Sequence, residues 1–128
     1  MTVVLDASAL LASIKGEAGG GVVLAHVDEA VIGAVNFAEV VSRLADLGLP
    51  PQTIEAELVG LPVPVIAPDR DTALAAGLLR TATRGAGLSL GDRFCIALAL
   101  RLAAPVLTSD KAWQHVAEPL GLDVRLIR

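Results

Sequence analysis

Two kinds of apolar segment take turns along the chain. Short runs dense in Val, Ile and Leu occur at 2–6 (TVVLD), 30–35 (AVIGAV), 63–68 (VPVIAP) and 105–109 (PVLTS), with DVRLI at 123–127 as a candidate fifth. The first four do not alternate apolar with polar, so each predicts a strand buried on both faces rather than one with a wet side. Between them lie longer segments with helical spacing and recognisable ends. ASALLASIKG stops at Gly16, FAEVVSRLADLG at Gly48, and PPQTIEAELVGL begins on prolines. GGGVVLAHVDEA predicts a flexible turn and a further helix, and KAWQHVAEPLG a short one. Asn36, Asp69 and Ser89 stand where N-caps belong, ahead of helices over 37–48, 70–85 and about 90–103. Strand and helix alternating in this way predict an α/β fold, a largely parallel sheet with helices on both faces.

Composition narrows this picture. The 128 residues suit one domain, with no linker or repeat to divide them. They are 54% hydrophobic but only 2% aromatic, so the core must be built from Ala, Val, Leu and Ile. That apolar excess predicts a surface covered by a partner. No stretch has the ~18 charge-free residues of a membrane span, and Asp6 interrupts any leader-like start. A single cysteine, Cys95, rules out an internal disulfide and a thiolate zinc cage, and fits a reducing cytoplasm. The net charge of −4 argues against a generic nucleic-acid coat protein. It leaves room for an enzyme that meets nucleic acid through cations and a local basic patch.

The candidate chemistry lies in four acids. Asp6 closes the first strand and Asp110 the run at 105–109; Glu39 and Asp92 fall in the first turns of their helices. In a parallel α/β sheet these places share the carboxyl edge, where ligands bind. Each acid also has a local explanation. Asn36-x-x-Glu39 and Ser89-x-x-Asp92 both read as capping boxes, Asp6 reads as a cap and Asp110 as a turn residue. A shared site explains all four at once. Carboxylates gathered together repel, and a hard divalent cation, Mg²⁺ or Mn²⁺, relieves the conflict. Such an ion activates water and stabilises charge on a phosphodiester. Ser8 and Thr108 are placed to add hydroxyl contacts.

The other candidates carry less. His26 and His115 fall outside these turns, Cys95 and Trp113 read as packing residues, and the Gly-rich 16–21 lacks the Lys-Ser/Thr of a phosphate loop. Lys15, Arg43, Arg84, Arg93 and Lys111 lie near the proposed edge in sequence, as phosphate contacts or as solvated helix faces.

The segments VVLDASAL, AVNFAEVVSRL, GLSLGDRFCIALALRL and PVLTSDKAW, taken in order, resemble the motif blocks of PIN-domain ribonucleases, and within them the VapC-type toxins of toxin–antitoxin modules. The resemblance spans nearly the whole chain. It implies a three-layer α/β/α fold and Mg²⁺- or Mn²⁺-dependent endonucleolytic cleavage of RNA. It assigns Asp6, Glu39, Asp92 and Asp110 to the acidic quartet, as catalytic and metal-binding residues, with Ser8, Asn36 and Thr108 in support. It also implies a homodimer and a small antitoxin partner. Two rivals are a receiver-like phosphoacceptor domain and a catalytically silent binding module of the same fold. The first would want paired acids after strand one, where only Asp6 stands.

Overall fold

Every apolar run becomes a strand, each shorter than the run that announces it. In a computed structural model describing residues 1–128, β1 is Val3–Leu5, β2 Ala30–Gly33, β3 Val65–Ile66, β4 Val106–Thr108 and β5 Val124–Leu126. The helices are α1 (Ala7–Lys15), α2 (Gly20–Ala25), α3 (Ala34–Asp46), α4 (Pro51–Val59), α5 (Arg70–Thr83), α6 (Leu90–Leu102) and α7 (Gln114–Leu120). All strand pairs are parallel, in the order β3-β2-β1-β4-β5.

The sheet separates two apolar layers, because successive side chains of a strand point to opposite faces. Val3 and Leu5 join Leu10, Val23, Val40, Leu44 and Ile54 from α1–α4. Val4, between them, joins Cys95, Ile96 and Leu98 of α6, Trp113, and Val116 of α7. The result is the expected three-layer α/β/α arrangement. Its core is aliphatic, each fully buried Val, Leu or Ile being worth about 1.5–3 kcal/mol. Trp113 is wholly buried and fastens the one-turn helix Lys111–Trp113 to the sheet, which removes it as a base-stacking surface.

The strand order places the site. The chain winds outward from β1 through β2 to β3, then returns to lay β4 on the other side of β1. The order therefore reverses between β1 and β4, and the crevice beyond their carboxyl ends is where such sheets bind ligands. A receiver-like domain has the order 2-1-3-4-5 instead, so the topology excludes that rival.

Three local expectations change. The helix after β2 begins at Ala34 with Gly33 as its N-cap, so Asn36 is an interior residue and the Asn36–Glu39 capping box does not form. Arg93 is buried in α6 rather than solvated at the edge, donating from Nη1 to the Ala76 carbonyl (3.3 Å). Asp110 does not end β4 but stands two residues beyond it. The expected caps at Asp69 and Ser89, the latter a complete capping box with Asp92, are present.

Candidate active site

Asp6 is the N-cap of α1 and leaves the end of β1 directly into the crevice. Its side chain is buried, and three donors converge on it. Oδ1 accepts from the Ser8 hydroxyl (2.7 Å) and the Ala9 N–H (2.8 Å), and Oδ2 from the Thr108 hydroxyl at the end of β4. Each hydroxyl is used twice. Ser8 Oγ also accepts the Ser109 N–H (3.0 Å), and Thr108 Oγ1 the Asp110 N–H (3.0 Å). Ser8 and Thr108 therefore orient Asp6 and pin the loop after β4 against it. Burial nevertheless outweighs these bonds and raises the Asp6 carboxyl to about 6, with the nearby Asp92 charge adding to the rise.

Glu39, half-buried on α3, is raised by burial and then by Asp92, against the lowering effect of the Asn36 amide and the Arg43 guanidinium. Asn36 is buried and donates from Nδ2 to Glu39 Oε1 (2.9 Å) and to the Gly91 carbonyl of α6 (3.0 Å). It thus ties α3 to the start of α6 and aims Glu39. Its Oδ1 is buried without a partner.

Gly91, which the sequence reading passed over, is where these helices meet. A Cβ there would run into the Glu39 carboxylate. A glycine inside the first turn of an otherwise regular helix costs up to about 1 kcal/mol relative to alanine, and that unexplained cost was the available signal.

Asp92 reaches the same region from the start of α6. Its Oδ2 accepts the Ser89 N–H (2.9 Å) while Ser89 Oγ accepts the Asp92 N–H (3.1 Å). It is therefore a working cap and also a charge felt by both Asp6 and Glu39. Asp110 is exposed, and its Oδ1 accepts the Ala112 N–H (2.9 Å). Its backbone is joined to Asp6 through Thr108, but its carboxylate caps the next turn. Beneath the acids lies Cys95, wholly buried, its thiol pushed up by burial and by Asp6, Asp92 and Glu39; it is no nucleophile. His26 bonds the Val22 carbonyl of its own helix and His115 is exposed, so neither serves this site.

The side chains do not close on one point: no group of three or more His, Cys, Asp or Glu is gathered tightly enough to hold an ion unaided. The donor set still fits a hard cation. It is all oxygen, and two of its carboxylates are pushed up by burial and a neighbouring charge, which is what a counter-ion would reverse. Mg²⁺ typically takes one or two carboxylates and keeps several waters, so a loose acidic set suffices.

A family model described as PIN domain matches residues 3–119. Among solved structures, the chain is similar to DNA-bound VapBC from Salmonella typhimurium at 17% identity and a TM-score of 0.80, covering 100% of this chain and 99% of that one. It is similar to VapBC-1 from nontypeable Haemophilus influenzae at 20% identity and 0.73, covering 99% and 98%. Similarity to VapBC-5 of the VapBC family of toxin–antitoxin systems, from Mycobacterium tuberculosis, is at 22% identity and 0.61, covering 100% and 99%. No curated protein matches the chain in sequence. With the strand order, the acids at the switch point and a family match over most of its length, the chain belongs to the PIN domain family.

Proposed function

We propose that this protein is a VapC-type toxin nuclease: an endoribonuclease that hydrolyses RNA phosphodiester bonds with Mg²⁺ or Mn²⁺ and is held in check by a small antitoxin. The observation that carries the reading is the buried, hydrogen-bonded Asp6 carboxylate, raised to about 6 at the β1/β4 switch point and sharing a field with Glu39 and Asp92. A site for binding protein surfaces has no need of that arrangement. Asp6, Glu39 and Asp92 would hold the metal, with Asp110 at the rim as a further ligand. Bound there, the ion would supply an activated water and counter-charge for the phosphate.

The chain's own residues do the positioning. Ser8 and Thr108 fix the Asp6 carboxylate by donating to both its oxygens. Asn36 holds Glu39 facing α6, and Gly91 leaves the space for it. Cys95 and the aliphatic layer below exclude water from the floor. No histidine is placed as a general acid or base. With metal-activated water as the nucleophile, hydrolysis should leave 5′-phosphate and 3′-hydroxyl ends.

A protein partner is supported by the VapBC complexes among the structural neighbours and by exposed leucines on adjoining helices, Leu74 and Leu78 on α5 and Leu100 and Leu102 on α6. Homodimerisation through such a surface belongs to the same proposal. The deciding experiment incubates purified protein with total RNA in Mg²⁺, Mn²⁺ or EDTA and sequences the ends. Metal-dependent cuts with 5′-phosphates are expected. Cleavage undiminished in excess EDTA, or 2′,3′-cyclic phosphate ends, refutes the mechanism. No cleavage of any RNA with either metal returns the protein to the silent binding module. No helix is long and apolar enough to cross a membrane.

A further inference from the structure

The acids do not lie alone at the carboxyl edge. Beside Glu39 opens a cleft of about 270 Å³ between one face of α1, which brings Ser8, Leu11 and Lys15, and one face of α3, which brings Glu39 and Arg43. Arg128 completes its wall, held by a bond from Nη1 to the Ala18 carbonyl (2.8 Å). Three of the chain's ten lysines and arginines thus line this single cleft, in a protein of net charge −4.

The remaining cations are spent or stand elsewhere. Arg93 is buried, Arg101 and Arg125 make exposed pairs with Asp69 and Asp123 away from the cleft, Arg70 and Arg80 project from α5, and Arg84 and Lys111 stand outside its lining. Inside the cleft the ammonium of Lys15 meets only Glu17, at 3.7 Å and well exposed, a contact too weak to neutralise it. The lining holds no aromatic side chain, so it offers no platform on which a base would stack.

We infer that Lys15, Arg43 and Arg128 form a phosphate track that carries the backbone of single-stranded RNA across Glu39 toward Asp6, binding it without reading its bases. The track rests on the nuclease reading above and gives it an entry side. Four acids repel a polyanion, and cations on both walls of the approach supply the attraction that brings it in. Loss of Lys15 or Arg128 should weaken substrate binding and spare the chemical step, whereas Arg43 also lowers the Glu39 pKa and its loss touches both. The three are therefore positioning residues.

The test compares Lys15→Ala/Arg43→Ala with Arg70→Ala/Arg80→Ala, which removes the same charge from α5. Fluorescence anisotropy of a labelled oligouridylate, in EDTA so that nothing is cut, is read across a range of salt concentrations. For single strands the slope of log K against log salt falls by about 0.7 per lost phosphate contact, so the cleft pair should lose about 1.4 and the α5 pair nothing. Arg128→Ala should lose about 0.7, and Arg43→Lys should keep most of the wild-type slope, since a lysine still meets a phosphate as a point charge. With metal present, KM should rise severalfold in Lys15→Ala while kcat stays within about twofold; Arg43, whose guanidinium also lowers the Glu39 pKa, is left out of that comparison. Equal losses in both pairs, or an unchanged slope in the cleft pair, overturn the track. So does unaltered RNA binding with loss of complex formation with the partner protein, which makes the cleft a protein-docking site. If the slopes differ as expected but wild-type protein cuts no RNA with either metal, the track stands and the nuclease reading fails.

Discussion

Asp6→Asn tests whether the site is built around a charge that the folded chain cannot by itself accommodate. The carboxyl moves from 3.8 to about 6 on folding, chiefly because it is buried. At 1.36 kcal/mol per pKa unit, keeping Asp6 ionised in the metal-free fold costs about 3 kcal/mol. The raised pKa makes the folded state bind more protons than the unfolded between pH 4 and 6. Stability therefore falls as pH rises through that window and levels off above it. Below pH 4 the group is protonated in both states and contributes nothing. Asparagine keeps Oδ1 as acceptor for Ser8 and the Ala9 N–H. It replaces the bond from Thr108 with an Nδ2 that must donate to a hydroxyl already accepting the Asp110 N–H, a pH-independent cost of about 1 kcal/mol. Relative to wild type, the variant should therefore gain about 3 kcal/mol between pH 4 and pH 7.5, roughly 10 °C in Tm. Thermal melts in EDTA at several pH values measure this, and taking the difference cancels the other titrating groups. Added Mg²⁺ should then stabilise wild type at pH 7.5 and leave the variant unmoved, and the variant should cut no RNA. A difference in Tm that stays constant from pH 4 to 7.5 would refute the reasoning, because Asp6 would then not carry an uncompensated charge.

Other perturbations separate cap from catalyst. Asp92→Asn keeps an acceptor for the Ser89 N–H and loses mainly a helix-dipole contribution of roughly 0.3–1 kcal/mol, yet it should abolish most cleavage; full activity would leave Asp92 a cap alone. Glu39→Gln keeps the acceptor for Asn36 and should melt in EDTA at or above the wild-type temperature, since a charge raised by burial has gone, again with cleavage lost. Gly91→Ala gains up to about 1 kcal/mol of helix propensity but pushes the Glu39 carboxylate aside. Melting should change little while Mg²⁺ affinity, followed by the metal-induced shift in Tm, falls; an unaltered shift would show that the Glu39 position is not needed. The inhibiting partner should place an arginine or lysine among the acids, and a complex with no cationic side chain near Asp6 or Asp110 would count against that.

The layers and the carboxyl-edge placement were legible because they follow from one-dimensional signals. An unbroken β-branched run is a strand, buried where it lies inside the sheet, and a small polar residue after it caps the next helix, as Asp6 and Asp69 do. Errors arose where the deciding contact is distant in sequence. Asn36 has the chemistry of a cap, but Gly33 ends β2 early enough for the helix to start at Ala34, and the amide turns instead to Gly91, 55 positions away. Arg93 belongs to a charged type that is rarely buried, and only the packing of α6 against α5 shows it bonded to Ala76. Gly91 gave no motif of its own; its role appears only when Glu39 is seen lying on it. Arg128 joined no cluster by spacing, being separated from Lys15 and Arg43 by most of the chain.

Caps and clustered carboxylates coincide here for a physical reason. In a parallel sheet each strand delivers the chain to the edge where the next helix begins, so unpaired N–H groups and their carboxylate acceptors collect in one place. Asp6, just after β1, accepts such an N–H group, and Asp92 accepts another at the start of α6, which follows α5 rather than a strand. Capping alone would hold a carboxylate at or below its ordinary pKa, as it does for exposed Asp69, which is lowered by the Thr72 N–H and hydroxyl. Asp6 makes the same kind of cap, with two hydroxyl bonds besides, and yet is raised to about 6. The two differ in burial at the switch point and in the presence of Asp92. A fold selected only for stability would exchange Asp6 for asparagine and keep the cap. The chain instead carries a buried carboxylate at a net cost of about 3 kcal/mol at neutral pH, and a cation drawn to that charge would return the cost as binding.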